Sequence, residues 1–148
     1  METITDFEDM LELLNRHGVR YLIIGGLAFI YHAKPRYTKD MDLWVEFEGA
    51  NIENANAALK EFGSHTLLSA VRDDEVLQLG FAPDRIDFFL RMEGMRFADA
   101  WAKRIEDSYG SVTANWIDLD GLLAIKSRIQ KPRHQEDARV LRALKKLR

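Results

Sequence analysis

The sequence contains two aspartates, Asp40 and Asp42, that are separated by a single residue, and this spacing suits the binding of a metal ion. They lie in the run DMDLWV, whose alternation predicts a strand with both carboxylates on one face and Met41, Leu43 and Val45 directed to a core. Two neighbouring carboxylates repel each other unless a positive charge lies between them. Oxygen ligands favour a hard divalent cation, Mg²⁺ or Mn²⁺, which can in turn bind the phosphates of a nucleotide. The pair therefore indicates a metal-binding site.

A glycine pair, Gly25 and Gly26, is separated from Asp40 by thirteen residues. The short apolar run at 22–24 ends at this pair and predicts a strand that is buried on both faces. Good helix formers follow over 27–31, so the glycines are expected at a helix N-terminus. Free N–H groups and the positive end of the helix dipole bind anions there, so the glycine pair is expected to form an anion site.

A third carboxylate, Asp87, lies within the strand-like run RIDFFL at 85–90. Burial of an uncompensated aspartate in an apolar strand costs free energy. We therefore expect Asp87 to face the same cations as the first two aspartates. The alternative is that Asp87 pairs with Arg85, with Arg91 or with a backbone cap.

The remaining pattern predicts the elements that position these groups. Thr5 is expected to cap the first helix, and Asp118 the helix that begins at 119. A hairpin is expected around Ala82-Pro83-Asp84, and the acidic run at 73–75 is expected in a solvated turn. The elements predicted beyond those above are helices at 6–17, 51–62, 96–105, 119–129 and from 134–135 onward, and strands at 76–81, 85–90 and 111–117. We expect an α/β (α+β) domain with a small mixed sheet of about four or five strands flanked by helices.

The motif made by these residues, IGG at 24–26 and DMDL at 40–43, resembles the nucleotidyltransferase motif of the DNA polymerase beta superfamily. The run RYTKDMDL at 36–43 is similar to small bacterial nucleotidyltransferases related to AbiEii-type toxins. The resemblance implies the nucleotidyltransferase fold and a site for two Mg²⁺ ions bridged by Asp40 and Asp42. It also implies that Asp87 completes the catalytic ion, where it can accept the proton of the attacking hydroxyl.

The resemblance extends, less specifically, to basic residues elsewhere in the chain. It favours a site-organising or phosphate-binding role for Arg36, whereas Lys34 and Lys39 are expected to be surface charges. Lys126 is expected either to reach the triphosphate while Asp137 holds it, or to form a surface ion pair with that aspartate. The turn before Asp137 departs from the family pattern, with Arg133 where lysine is common and His134 where aspartate is common. Trp44 either stacks on a base or sugar or is covered by a helix.

The composition of the chain limits the other possibilities. The 148 residues contain 47% hydrophobic and 30% charged residues and no cysteine, which excludes disulfides, thiolate metal sites and a cysteine nucleophile. We expect one domain, 1–148, with a C-terminal helical pair over about 119–148. The segment 126–148 has nine Lys or Arg against two acids, which suits either a solvated helix face or contact with phosphates. No signal-type or bilayer-spanning run is present in the sequence, so a cytoplasmic protein with no membrane contact is expected.

Two functions fit these residues. The first is a metal-dependent enzyme that transfers a nucleoside monophosphate, for example from ATP, to a hydroxyl of a protein, a tRNA end or a small molecule, as part of a toxin–antitoxin system or alone. The second is a catalytically weak domain of the same fold that binds a partner, like an antitoxin. The retained glycines and three aspartates favour the first. The Gly-Gly junction also favours triphosphate binding over a nuclease.

Overall fold

The computed structural model describes residues 1–38, 40–81 and 84–148. Lys39 and most of the predicted hairpin turn, Ala82 and Pro83, lie outside the described residues. The helices are α1 (Thr5–Arg16), α2 (Gly25–His32), α3 (Gly49–Phe62), α4 (Phe97–Ala102), α5 (Leu119–Arg128) and α6 (Pro132–Lys146). The strands are β1 (Tyr21–Ile24), β2 (Asp40–Val45), β3 (Val76–Leu79), β4 (Arg85–Phe89), β5 (Ile105–Tyr109) and β6 (Val112–Trp116).

The strands form one mixed sheet in the order β3-β4-β2-β1-β6-β5. β2 pairs with β4 and β1 with β6 in parallel, and the other neighbours are antiparallel. The mixed α/β class is confirmed, and the described strands number six rather than four or five. The additional strand is β5. Its residues Glu106, Asp107 and Ser108 are all exposed at the sheet edge, so period-two alternation does not reveal it.

Both faces of the sheet are covered by helices. On one face, α1 and α3 pack Phe7, Met10 and Leu59 against the sheet. On the other face, Leu22 of β1 lies in a second cluster with side chains of α4, α5 and α6. β1 is the central strand, and all four of its residues are buried, as predicted from its short apolar run.

Several helix ends differ from prediction, including the starts of α1 and α6 and the end of α4. Thr5 is the first helical residue of α1 and does not cap it; the carboxylate of Glu8 instead accepts a hydrogen bond from the Ser111 N–H at 2.9 Å. The helix predicted over 96–105 ends at Ala102. α6 begins at Pro132, because proline suits the first turn of a helix, where its missing N–H is not needed.

Other local predictions are confirmed. Asp118 caps α5 by accepting a hydrogen bond from the Gly121 N–H at 2.9 Å. β3 and β4 pair as an antiparallel hairpin, and the acidic run at 73–75 lies in a turn outside helices and strands, where Asp74 accepts hydrogen bonds from Arg72. None of the helices in the described ranges combines the length and the apolar character needed to cross a bilayer.

Candidate active site

The pairing of β2 with β4 brings the three predicted carboxylates together. The parallel register places Asp42 opposite Asp87 and Asp40 opposite Arg85. Each of the three aspartates offers an oxygen, and these oxygens lie within 4.8 Å of one another. Met41 lies between them in sequence but points to the core, where it is fully buried. The alternation read from the sequence therefore holds, and the three carboxylates form one cluster, here called the carboxylate triad.

The glycine pair lets the chain pass beside this triad. β1 ends opposite Asp42, and α2 begins at Gly25, which has a φ of +67°. A Cβ atom on Gly25 would overlap Oδ2 of Asp42 and lie 2.9 Å from its Cγ. A Cβ atom on Gly26 would lie 2.7 Å from Oγ1 of Thr38. Both positions therefore require glycine for close approach, and Gly25 also for its left-handed backbone.

Arg85 is the site residue that sequence reasoning did not place in the triad. Its Nη2 donates to Oδ2 of Asp40 at 2.8 Å and to Oδ2 of Asp87 at 3.1 Å, while its Nε donates to Oδ1 of Asp87 at 3.0 Å. The predicted pairing of Asp87 with Arg85 is therefore observed, and Asp87 also lies in the triad, while its role as a cation ligand stays a prediction. The available signal was the spacing of Arg85 and Asp87, which puts both on one face of β4.

The triad carries more negative charge than its surroundings balance. Burial, followed by the charges of Asp40 and Asp87, raises the pKa of Asp42 to about 7. Its Oδ1 is buried with no hydrogen-bond partner among the residues that the structure describes. Burial also raises the pKa of Asp87, although Arg85 opposes this effect. A buried carboxylate oxygen without a donor, within an all-oxygen ligand set, fits a hard divalent cation.

Arg36 and Lys126 meet on Asp137. Arg36 donates twice to this carboxylate, at 2.7 and 2.9 Å, and Nζ of Lys126 lies 3.0 Å from its Oδ2. The predicted ion pair between Lys126 and Asp137 therefore forms, but it is buried rather than at the surface, since the two residues are only 3% and 4% exposed. The guanidinium of Arg36 also lies over the ring of Phe29, 4.1 Å from its centroid. This network ties α5 and α6 to α2 and to the loop that leads into β2.

Burial and mutual contact shift the pKa values of Lys126 and Asp137. Burial lowers the pKa of Lys126, and the contact with Asp137 opposes this. Burial alone would raise the pKa of Asp137, but the hydrogen bonds from Arg36 and Lys126 outweigh it and hold this pKa below its usual value. Lys126 also lowers the pKa of Asp42 through its charge, so the network is close enough to act on the triad. The position of this network, between the triad and α6, supports a site-organising role for Arg36.

A cleft of about 210 Å³ opens beside the triad, lined by Tyr37, Thr38, Asp40, Arg85 and Arg133. A larger groove of about 790 Å³ shares Tyr37 and Thr38 with it and extends along α2 to the N-terminal residues. The cleft therefore places two arginines beside Asp40.

Two further expectations concern side chains near the site. Trp44 is 1% exposed and meets the ring of Phe97 edge-on, so it is covered by α4 rather than available to a base. Thr38, in the loop before β2, donates a hydrogen bond from its hydroxyl to the Asp40 carbonyl at 3.3 Å. Lys34 is exposed, as expected for a surface charge.

The sequence matches no protein-family model, and it matches no curated protein. Among solved structures, the chain is similar to the lincomycin-bound lincosamide antibiotic adenylyltransferase LnuA, with a TM-score of 0.64 and 14% identity over 97% of this chain and 99% of that chain. It is also similar to ANT(2")-Ia in complex with adenylyl-2"-tobramycin, with a TM-score of 0.58 and 13% identity over 95% of this chain and 91% of that chain.

These similarities cover nearly the whole chain and define its fold. The chain has the nucleotidyltransferase fold that the glycine–aspartate motif predicts. Its relation to AbiEii-type proteins stays a prediction, as do the roles assigned to individual site residues.

Proposed function

We propose that this protein transfers a nucleoside monophosphate from a nucleoside triphosphate to a hydroxyl group of an acceptor. The observation that carries the proposal is the carboxylate triad, in which Asp40, Asp42 and Asp87 offer oxygens within 4.8 Å of one another. The nucleotidyltransferase fold of the two structural neighbours supports it. ATP is the expected donor, and Mg²⁺ the expected cation, with Mn²⁺ as a substitute.

The reaction joins the acceptor oxygen to the α-phosphorus of the triphosphate and breaks the bond from that phosphorus to the leaving pyrophosphate. Asp40, Asp42 and Asp87 would hold two divalent cations, which stabilise the negative charge that develops on the entering and leaving oxygens. Asp87 accepts the proton of the acceptor hydroxyl. The backbone N–H groups at Gly25 and Gly26, at the start of α2, bind the β- and γ-phosphates.

Basic side chains near the triad complete the phosphate site in this proposal. Arg85 and Arg133 line the cleft beside Asp40, where guanidinium groups suit phosphate oxygens. Lys126 and Arg36 are already paired with Asp137. We therefore assign to them the positioning of the loop before β2, together with a long-range positive charge, rather than a direct contact that would have to break the buried pair.

The acceptor is proposed to be a small hydroxyl-bearing molecule. The groove of about 790 Å³ shares Tyr37 and Thr38 with the cleft, so an acceptor bound at that end of the groove would lie beside the cleft that contains Asp40. Its volume is in the range of sites for drug-sized ligands. The two structural neighbours contain bound small molecules, lincomycin in one and an adenylylated tobramycin in the other. Protein and tRNA acceptors are the alternatives that the assay must include.

The test is transfer of label from α-labelled nucleoside triphosphates in the presence of Mg²⁺. Purified protein is incubated with each nucleotide and with hydroxyl-bearing antibiotics, total tRNA or cell lysate. Asp40→Ala and Asp42→Ala should each abolish transfer without unfolding the protein. Asp120→Ala is the matched control, because this aspartate is exposed and pairs with Lys145 on the surface.

The outcomes separate the two functions. A labelled product that disappears in both triad variants supports the enzyme and identifies the acceptor class. Transfer at the wild-type rate in either triad variant refutes the proposal. A stable stoichiometric complex from lysate, with no label transferred in any mixture, supports instead the partner-binding domain of a toxin–antitoxin pair.

A further inference from the structure

One guanidinium group holds two of the three carboxylates of the triad. Arg85 donates to Asp40 and to Asp87, at distances of 2.8 to 3.1 Å. These are two of the three carboxylates that the proposed function assigns to divalent cations. Asp42, which Arg85 does not contact, keeps an unpartnered buried oxygen. Arg85 therefore stands in for part of the missing positive charge.

A guanidinium and a divalent cation cannot both hold these carboxylates closely without strong repulsion. We propose that Arg85 is a built-in counter-ion, which holds Asp40 and Asp87 in the cation-free protein and must leave them when a divalent cation binds. This inference rests on the proposed function, because it assigns the cation to the triad. It concerns a different question, namely which group of the protein competes with the cation.

The structure also provides a place for the displaced side chain. Arg85 is 33% exposed and lines the cleft that also contains Arg133. Released from the carboxylates, its guanidinium can turn into this cleft and bind the phosphates of the triphosphate. A cation that binds without nucleotide must break the hydrogen bonds of Arg85, and the released guanidinium then has no new acceptor. When the triphosphate binds as well, its phosphate oxygens accept hydrogen bonds from Arg85. Cation and nucleotide are therefore expected to bind cooperatively.

A purely structural role for Arg85 makes the opposite prediction. If Arg85 mainly fixes the orientation of the Asp87 carboxylate, its removal disorders a cation ligand, and the cation binds more weakly. If Arg85 competes with the cation, its removal frees two ligands, and the cation binds more tightly. The sign of the change in cation affinity distinguishes the two roles.

The test measures Mn²⁺ binding by electron paramagnetic resonance without nucleotide, in the wild type and in the Arg85→Gln variant. In the wild type, Mn²⁺ must break the hydrogen bonds from Arg85 to Asp40 and Asp87, and in Arg85→Gln it need not. We therefore expect Arg85→Gln to bind Mn²⁺ at least about tenfold more tightly. Arg133→Gln is the matched control, because it removes a positive charge from an exposed residue of the same cleft. A change below about threefold is expected there, since the charge is screened by water.

A second measurement tests the cooperativity. Addition of a non-hydrolysable triphosphate analogue should tighten Mn²⁺ binding in the wild type by a larger factor than in Arg85→Gln. If Arg85→Gln does not fold, Arg85→Lys replaces it, because lysine keeps the charge but cannot bridge both carboxylates in the same fork. Arg85→Lys is expected to bind Mn²⁺ more tightly than the wild type, by a smaller factor.

Equal or weaker Mn²⁺ binding in the Arg85 variants than in the wild type overturns the inference and leaves the proposed function standing. An equally large gain in Arg133→Gln also overturns it, since general charge would then explain the effect. Absence of Mn²⁺ binding in every protein, with and without the analogue, overturns the proposed function as well.

Discussion

Neutralising Asp42 is expected to stabilise the cation-free protein while it removes cation binding. Burial and the carboxylates of Asp40 and Asp87 raise the pKa of Asp42 to about 7, from an ordinary value of 3.8. Between these two pH values the folded protein binds more protons than the unfolded chain. The contribution of Asp42 to the free energy of unfolding therefore falls as the pH rises through this window, and it is lowest above about pH 7.

The magnitude follows from the distance between the two pKa values. At about 1.36 kcal/mol per pH unit, ionised Asp42 costs the folded state at most about 4 kcal/mol. Side chains and water rearrange around the charge, so we expect Asp42→Asn to recover about 2 kcal/mol of this, since the amide keeps the shape without the charge. For a domain of this size, the melting temperature should rise by roughly 4–8 °C.

The assay is thermal and urea unfolding of the wild type and Asp42→Asn, with EDTA, from pH 5 to pH 8. The stability gap in favour of the variant should grow with pH and level off above about pH 7. Saturating Mg²⁺ should then stabilise the wild type but not the variant. Asp120→Asn, an exposed control, should show no such gap. A variant that is no more stable at pH 8, or a gap that shrinks as the pH rises, would refute the electrostatic reasoning.

Two further substitutions test the glycine turn and the buried network. Gly25→Ala should lower stability by about 2 kcal/mol or more and weaken Mn²⁺ binding, because its φ of +67° and the adjacent carboxylate exclude a Cβ atom. Gly49→Ala is the control, because a Cβ atom there meets nothing within 4 Å. It should change neither the stability measured by urea unfolding nor the affinity measured by Mn²⁺ titration. Effects of the same size in Gly25→Ala and Gly49→Ala would contradict the argument. Asp137→Ala should lower the free energy of unfolding in urea by about 3–5 kcal/mol, because it leaves Arg36 and Lys126 without their carboxylate. The exposed control Asp120→Ala should lower it by at most about 1 kcal/mol. A loss in Asp137→Ala that is no larger than the loss in the control would contradict this reasoning.

The parts of the site that local pattern specifies were predictable from the sequence. Alternation in DMDLWV placed Asp40 and Asp42 on one face, and the apolar run before Gly25 gave the buried central strand. These features depend on neighbouring residues alone, since the side chains of a strand alternate and glycine permits the turn. The edge strand β5 was missed because it buries little, so its sequence keeps no clear period.

Contacts between distant segments were not predictable in the same way. The pairing of Arg85 with Asp40 requires the parallel register of β2 with β4, which are separated by a helix and a strand. The sequence offered Arg85 only as a partner for Asp87, two residues away. Likewise, Lys126 is typical of a helix surface, and it is buried only because α6 and Arg36 meet over it. Local patterns contain no information on either arrangement.

Two carboxylates of this chain, the buried Asp137 and the partly buried Asp42, differ in the positive charge that surrounds them. Asp137 is held by Arg36 and Lys126, and its pKa stays below the usual value. Asp42 has a buried oxygen with no partner among the described residues, and its pKa is raised. Two cationic side chains of the protein thus pair with Asp137, whereas Oδ1 of Asp42, on β2, has no donor among the described residues. Because an unpaired charge on this oxygen is destabilising, a cation held by the triad, as proposed above, would supply the balancing charge.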